Sequence, residues 1–570
     1  MTVQAGVVLR QPKRRFYTGI ALAIAITVFA GFAPSYFLRV YNHSTPLGGL
    51  LHLHGVIFTG VVVDTEKVAR GESGEHRNRD GERDACIEAS LWLSEDDAGL
   101  HGHDGSVGSR IYGTGRRIRP QALTRSHLLD TLPPPGDGAA MEKPTNVPPP
   151  FRLPGIHFVG AVLWLVVGGA GLVLIAPDLA VAHFLDPRVL AVTHVYTLGV
   201  IVASVFGALY QFYPMSLGAG ARSVRVGVWG GGLLHAGIAT IVAGFWFWLP
   251  ALQAAGWVLL FLAVGCVSWN LLPHRRRMTQ GRRAAGYVST AHSMLGLAIF
   301  IAGARIGASL GWWSFDRLGA IAAHFHLAAF GFAGLTAVGV GGRMLPMFLV
   351  AGPGPDWPFR VIGPAGSLGL LLLASGLLWS VTPLIWLGAL VGLLAAALFV
   401  GLVATWFRRR MVRVLEPAFG HVAVGFGSLL VGLIVGIVQL VQPGLSLRGW
   451  TVYAELVLLG WLILFITGIW YRLLGFLLWL HFYRGSKGKP VATAAELVHR
   501  PVAWTALGLM AGGMVGLVCG TATASASIAR AGATGYLAGS LLVAGHYAWI
   551  YAVAGARPSS IAEQPTRRPP

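Results

Sequence analysis

Residues 194–215 read HVYTLGVIVASVFGALYQFYPM, and residues 326–347 read HLAAFGFAGLTAVGVGGRMLPM. Laid over one another, His194 falls on His326, Gly199 on Gly331, Gly207 on Gly339, and Pro214-Met215 on Pro346-Met347. A third stretch, ELVLLGWLILFITGIWYRLLGF at 455–476, keeps the glycines as Gly460 and Gly468. It puts Glu455 in the histidine slot and Gly475 in the proline slot. Each stretch belongs to an apolar run that can cross a bilayer, which takes about 20 helical residues. In lipid the backbone must satisfy its own hydrogen bonds, so such runs are helices.

The preceding runs repeat as well. His157, His292 and His421 each stand eleven residues before a glycine: Gly168, Gly303 and Gly432. The second and third copies are 129 residues apart by either marker. The first and second differ by 135 or 132, which places three extra residues in the first connection. A fixed period of this kind marks a repeat architecture.

Composition agrees with a membrane protein. Of 570 residues, 54% are hydrophobic and 12% charged, where a soluble chain carries about a quarter charged. Twelve apolar spans run from 157–175 to 533–554. The expected fold is an all-α membrane protein. Its core, 151–570, has twelve helices in three pseudo-equivalent four-helix units. An N-terminal membrane segment, 1–63, adds one clear span (Phe16 to Phe37) and a weaker one (Pro46 to Val63). Between them, 64–150 is polar, ends in proline runs and is expected to be a disordered linker. Met141 sits just before the core, so a genuine linker and an artificial join of two segments both stay open. Cys86, Cys266 and Cys519 are far apart and form no redox or metal motif.

The net charge of +20 does not point to nucleic acid, because the arginines lie in short loops between spans. Loops after even-numbered spans hold eighteen Arg and Lys, from Arg222 to Arg500. Loops after odd-numbered spans hold five: Arg188, Arg305, Arg317, Arg448 and Arg530. The positive-inside rule then places both ends of the core in the cytoplasm. The expectation is a multi-pass protein of a bacterial-type inner (plasma) membrane, with the lipid bilayer as its first partner.

Ionisable groups inside a membrane are costly and therefore candidates for function. His194 lies six residues beyond Arg188 and His326 nine beyond Arg317. At about 1.5 Å per residue both sit roughly 9–14 Å from the same end of parallel helices. Neutral imidazole is a ligand for haem iron or copper. A lone membrane histidine more often packs against a carbonyl; a pair repeated in slot and depth favours ligation. In His324-Phe325-His326 the two rings point about 200° apart on a helix, so they serve opposite sides. The candidate cofactor and metal ligands are His194, His324 and His326. His194 would share a haem with one of the other two; the repeat alignment favours His326, and the remaining ring would face a second haem or a metal. Glu455 is a candidate proton-handling group. His157, His292 and His421 read as repeated structural positions, and His235 and His546 as packing residues. His52 and His54 are given no role.

Ala323-His324-Phe325-His326, with Gly339 and Pro346 behind it, resembles the haem-ligating helix of subunit I in the haem-copper oxidase superfamily. Gly341-Gly342-Arg343-Met344-Leu345-Pro346-Met347-Phe348 and the His194 span are similar to the NnrS-type haem–copper membrane proteins. The resemblance covers roughly 151–480. It implies a low-spin haem shared by His194 and one histidine of the pair, with the other histidine on a high-spin haem beside copper. It also implies oxygen or nitric oxide as substrate, and a cytochrome or quinol as electron donor. The chain departs from that pattern. Its His-x-His lies on the sixth span rather than the tenth. Spans seven and eight contain no histidine, so the histidine pair that helps to hold copper is not found. Haem is therefore the cofactor expected first and copper second, and oxidoreductase activity stays open. Two other readings stand beside it: a proton-coupled transporter built from repeats, and a haem-binding protein that senses or handles haem without turnover. Four-helix units keep one orientation, unlike the inverted repeats of many transporters.

Overall fold

Twelve helices lie close to the twelve expected spans. The computed structural model describes residues 148–560, apart from 273–280, 315–316, 353, 413, 443–446 and 484–492, with backbone alone at 556–560. The expected N-terminal membrane segment and nearly all of the polar linker lie outside the described residues. All described residues fall within one unit, and every regular element among them is helical.

The helices are α1 (Arg152–Ala180), α2 (Pro187–Leu217), α3 (Val224–Trp246), α4 (Pro250–Leu271), α5 (Arg282–Ser309) and α6 (Arg317–Leu349). They continue with α7 (Trp357–Leu378), α8 (Thr382–Arg409), α9 (Pro417–Val441), α10 (Leu447–Tyr483), α11 (Arg500–Ala522) and α12 (Ala526–Ser560). All twelve are long and apolar enough to cross a membrane. The chain is thus a multi-pass, membrane-type helical protein, and its surroundings are a lipid bilayer.

Three helices differ from the rest. α2, α6 and α10 run for 31, 33 and 37 residues, well past the ~20 that a crossing needs. Each contains an eight-residue π-helical segment: Val195–Val202, Leu327–Gly334 and Leu456–Ile463. In each case the residue just before the segment holds the repeated slot: His194, His326 or Glu455. A π segment opens the hydrogen-bond ladder and is common at functional sites. The sequence reading did not anticipate it. The π segment of α10 touches those of α2 and α6. The apolar window of α10 is 89% buried inside the bundle, against 28% for α4 and α8. α10 is therefore central, while α4 and α8 turn most of their surface to lipid.

The other helices pair by close approach. α3 packs on α4, α7 on α8 and α11 on α12, and α12 lies along α1. Glycine permits this. A side-chain carbon at Gly388 would strike the backbone of Leu373, and one at Gly513 the backbone of Tyr536. Small residues that bring helix backbones together are the usual route to tight packing in lipid.

The three hairpins turn alike. Trp248, Ser380 and Ala524 each sit second in a three-residue connection with left-handed φ of 52°, 56° and 57°. The next residue's N–H reaches back to a glycine carbonyl: Leu249 to Gly244 (2.8 Å), Val381 to Gly376 (2.9 Å) and Ser525 to Gly520 (2.8 Å). This is a Schellman cap, which satisfies carbonyls that the helix end would otherwise leave bare.

Candidate functional site

α2 starts where the Asp186 side chain accepts from the Arg188 N–H at 2.8 Å and Pro187 presets the first turn. Two turns on, His194 reaches the last α-helical position before the π segment. Its Nδ1 lies 2.7 Å from the Leu190 carbonyl. A carbonyl only accepts, so Nδ1 carries the proton and Nε2 keeps its lone pair. His324 Nδ1 is likewise 2.9 Å from the Ala298 carbonyl of α5, and His326 Nδ1 is 2.8 Å from the Ala322 carbonyl. All three histidines therefore keep the lone pair on Nε2, the basic nitrogen. An Nδ1–H held by a carbonyl is the usual orienting contact behind a metal-bound imidazole.

The rings of His194 and His324 stand 6.4 Å apart, centre to centre, with 30° between their planes. Phe245 of α3 stacks on His194 at 4.6 Å. Both histidines are half-buried. Two neighbouring imidazoles, each with its Nδ1 held by a carbonyl and its Nε2 left basic, are a donor set that would suit a haem iron.

His326 turns to the other side of α6, as the two-residue spacing requires. Its Nε2 accepts from the Tyr453 hydroxyl of α10 at 3.3 Å, with ring centres 6.0 Å apart. The structure thus pairs His194 with His324, whereas the slot alignment favoured His326. The reason is geometric. Helices that face different neighbours present the same slot to different partners. The slot residue of α2 meets the residue two before the slot on α6. The slot residue of α6 meets the residue two before the slot on α10. Tyr453 was missed in the sequence; its position two before Glu455, matching His324 before His326, was the available signal.

Glu455 is 5% exposed. One carboxyl oxygen accepts from the Thr521 hydroxyl of α11 at 2.7 Å, and the other has no partner among the described residues. Arg448, two turns earlier on α10, donates to the carbonyls of Ala180 (2.8 Å) and Thr521 (2.5 Å).

The other histidines divide as follows. His235 packs as expected: Nε2 donates to the Ile156 carbonyl and Nδ1 accepts from the Trp164 indole, both at 3.1 Å. His157, His292 and His421 are buried. Gly207 lies against His157, and Gly468 against His421. In the middle copy Gly339 lies against Tyr287, five residues before His292. Among the described residues, no three His, Cys, Asp or Glu side chains converge as a metal group. His194 and His324, a pair rather than a cluster, would suit haem, which brings its own nitrogen donors. No protein-family model matches the sequence, and no curated protein matches it.

Proposed function

We propose that this chain is an integral membrane haem protein of redox function, with one haem between α2 and α6 ligated by His194 and His324. One observation carries the reading: two half-buried imidazoles 6.4 Å apart, each with Nδ1 tied to a backbone carbonyl. Haem, when bound, supplies one-electron chemistry. The chain's own residues hold and orient the ligand rings, and Phe245 covers one face of His194. The resemblance to haem-copper oxidase subunit I and to NnrS-type proteins supports the same place for a low-spin haem. Oxygen or nitric oxide as substrate, copper as a second cofactor, and a cytochrome or quinol as donor belong to this proposal. A haem-sensing or haem-handling role uses the same site.

The core is proposed to be three pseudo-equivalent units, α1–α4, α5–α8 and α9–α12, with the Arg-rich loops in the cytoplasm of a bacterial-type inner membrane. Support comes from the three matched hairpin caps, the three π segments after the same slot and the two cross-unit pairings. Glu455, buried with one bare oxygen, supports proton handling and keeps a proton-coupled transporter as the second reading.

The test is a visible and paramagnetic-resonance spectrum of protein purified after expression with ample haem. A six-coordinate low-spin haem is expected at one per chain. His194→Ala and His324→Ala each remove the low-spin signal, and His326→Ala keeps it. Purification without haem, or a full low-spin spectrum in His194→Ala, overturns the reading and moves the transporter ahead.

A further inference from the structure

Four aromatic side chains on three helices, each with a buried polar atom, pack together at the Arg-rich end of the third unit. The atoms are His421 Nε2 of α9, the Tyr471 hydroxyl of α10, and His546 Nδ1 and the Tyr547 hydroxyl of α12. None has a partner among the described residues. Tyr471 is the hub: its ring lies 5.4 Å from His421, 5.6 Å from His546 and 5.5 Å from Tyr547. Backbone contacts fix what each imidazole offers. His421 Nδ1 is 2.8 Å from the Pro417 carbonyl, so its Nε2 is an acceptor. The His499 N–H donates to His546 Nε2 at 3.0 Å, so His546 Nδ1 carries a proton and is a donor. A donor and an acceptor flank two hydroxyls that can be either.

Buried polar atoms in folded proteins have partners, supplied by protein or by ordered water. Four bare atoms of complementary kind around one ring call for water. Tyr471 also lines a cavity beside Glu416, Arg472 and Arg500, with about 40 Å³ open to water centres. At roughly 10–15 Å³ per water position that is room for a few molecules. The Arg472–Glu416 ion pair, 3.3 Å, stands at this mouth.

We propose that this cluster is a hydrated chamber, opening at the Arg-rich face, whose ligand is water and the protons it carries. Of the four residues Tyr471 alone lines the cavity, so water entering at the mouth would pass Tyr471 to reach His421, His546 and Tyr547. Water there completes the hydrogen bonds of all four atoms and gives protons from that face access to the third unit. The proposal stands on different residues from the haem site and does not depend on it.

Two measurements on the full chain in nanodiscs test it. The first is hydrogen–deuterium exchange at the imidazole C2 position of His421 and His546, read by mass spectrometry. Ala495 is exposed and lies on the cavity wall; Ala495→Trp plugs the mouth from outside the bundle. Exchange is expected in the wild type and several-fold slower in the plugged protein. The second is the melting temperature of Tyr547→Phe and Tyr471→Phe. Removing a hydroxyl from a hydrated network lowers it, whereas removing a bare hydroxyl from a dry core raises it. Exchange unaffected by the plug, or a rise in melting temperature in both Phe variants, overturns the proposal.

Discussion

Replacing Arg448 by methionine cuts a side chain that ties α10 to the ends of both α1 and α11. Its Nη1 donates to the Ala180 carbonyl at 2.8 Å and the Thr521 carbonyl at 2.5 Å. Both carbonyls lie in the last turn of their helices, where four carbonyls lack an intrahelical partner and the dipole is negative. A hydrogen bond to a charged group contributes about 1.5–3 kcal/mol. Arg448 is half-buried, so water offsets part of that. Arg448→Met is therefore expected to destabilise the bundle by roughly 2–3 kcal/mol for the pair. Arg448→Lys keeps the charge but loses the planar fork, and should cost about half as much. The assay is unfolding of purified protein by SDS titration, followed by tryptophan fluorescence. A loss under about 0.5 kcal/mol for Arg448→Met refutes the assignment of this side chain as a three-helix tie.

Ser380→Gly and Ala524→Gly should each raise stability by up to about 1 kcal/mol, since a left-handed residue with a Cβ is strained there and glycine is not. Similar, additive gains in the same SDS assay are expected from equivalent turns, and a loss at either position contradicts the cap. Tyr453→Phe should leave the haem spectrum unchanged while lowering stability by about 1 kcal/mol, because it strips the partner from His326 Nε2; loss of the low-spin bands would make His326 an iron ligand. Reporter fusions after Arg410 should read cytoplasmic, and fusions at Arg448 external; the reverse pattern inverts the proposed orientation.

The twelve helices were legible because hydropathy and loop arginines mark spans without any packing information. Their ends were less so: Pro214 and Pro346 stay inside α2 and α6, which run on to Leu217 and Leu349. The π segments were invisible, since Val195–Val202 and its counterparts are apolar residues with no marker of extra turn. The candidate histidines were legible as types and spacings, and which of His324 and His326 lies beside His194 was not. Slot matching compares helices one at a time, whereas pairing depends on which neighbours they face. Likewise Glu455 could be picked out as a buried acid, but Thr521, 66 residues away, could not be named as its partner.

The π segments divide α2, α6 and α10 into two stretches that are out of phase. An added residue turns everything beyond it by about 100° relative to an unbroken helix. The stretch before the segment bears the histidines and Glu455; the stretch after it bears Gly207, Gly339 and Gly468, which seat each helix against its neighbour. The angular setting of the chemistry is thereby uncoupled from that of the seat. A lineage could exchange histidine, tyrosine or carboxylate at one end while the glycine seat stays as it was. Conversely, deleting a single residue such as Leu198 would swing His194 away from His324 without touching either side chain.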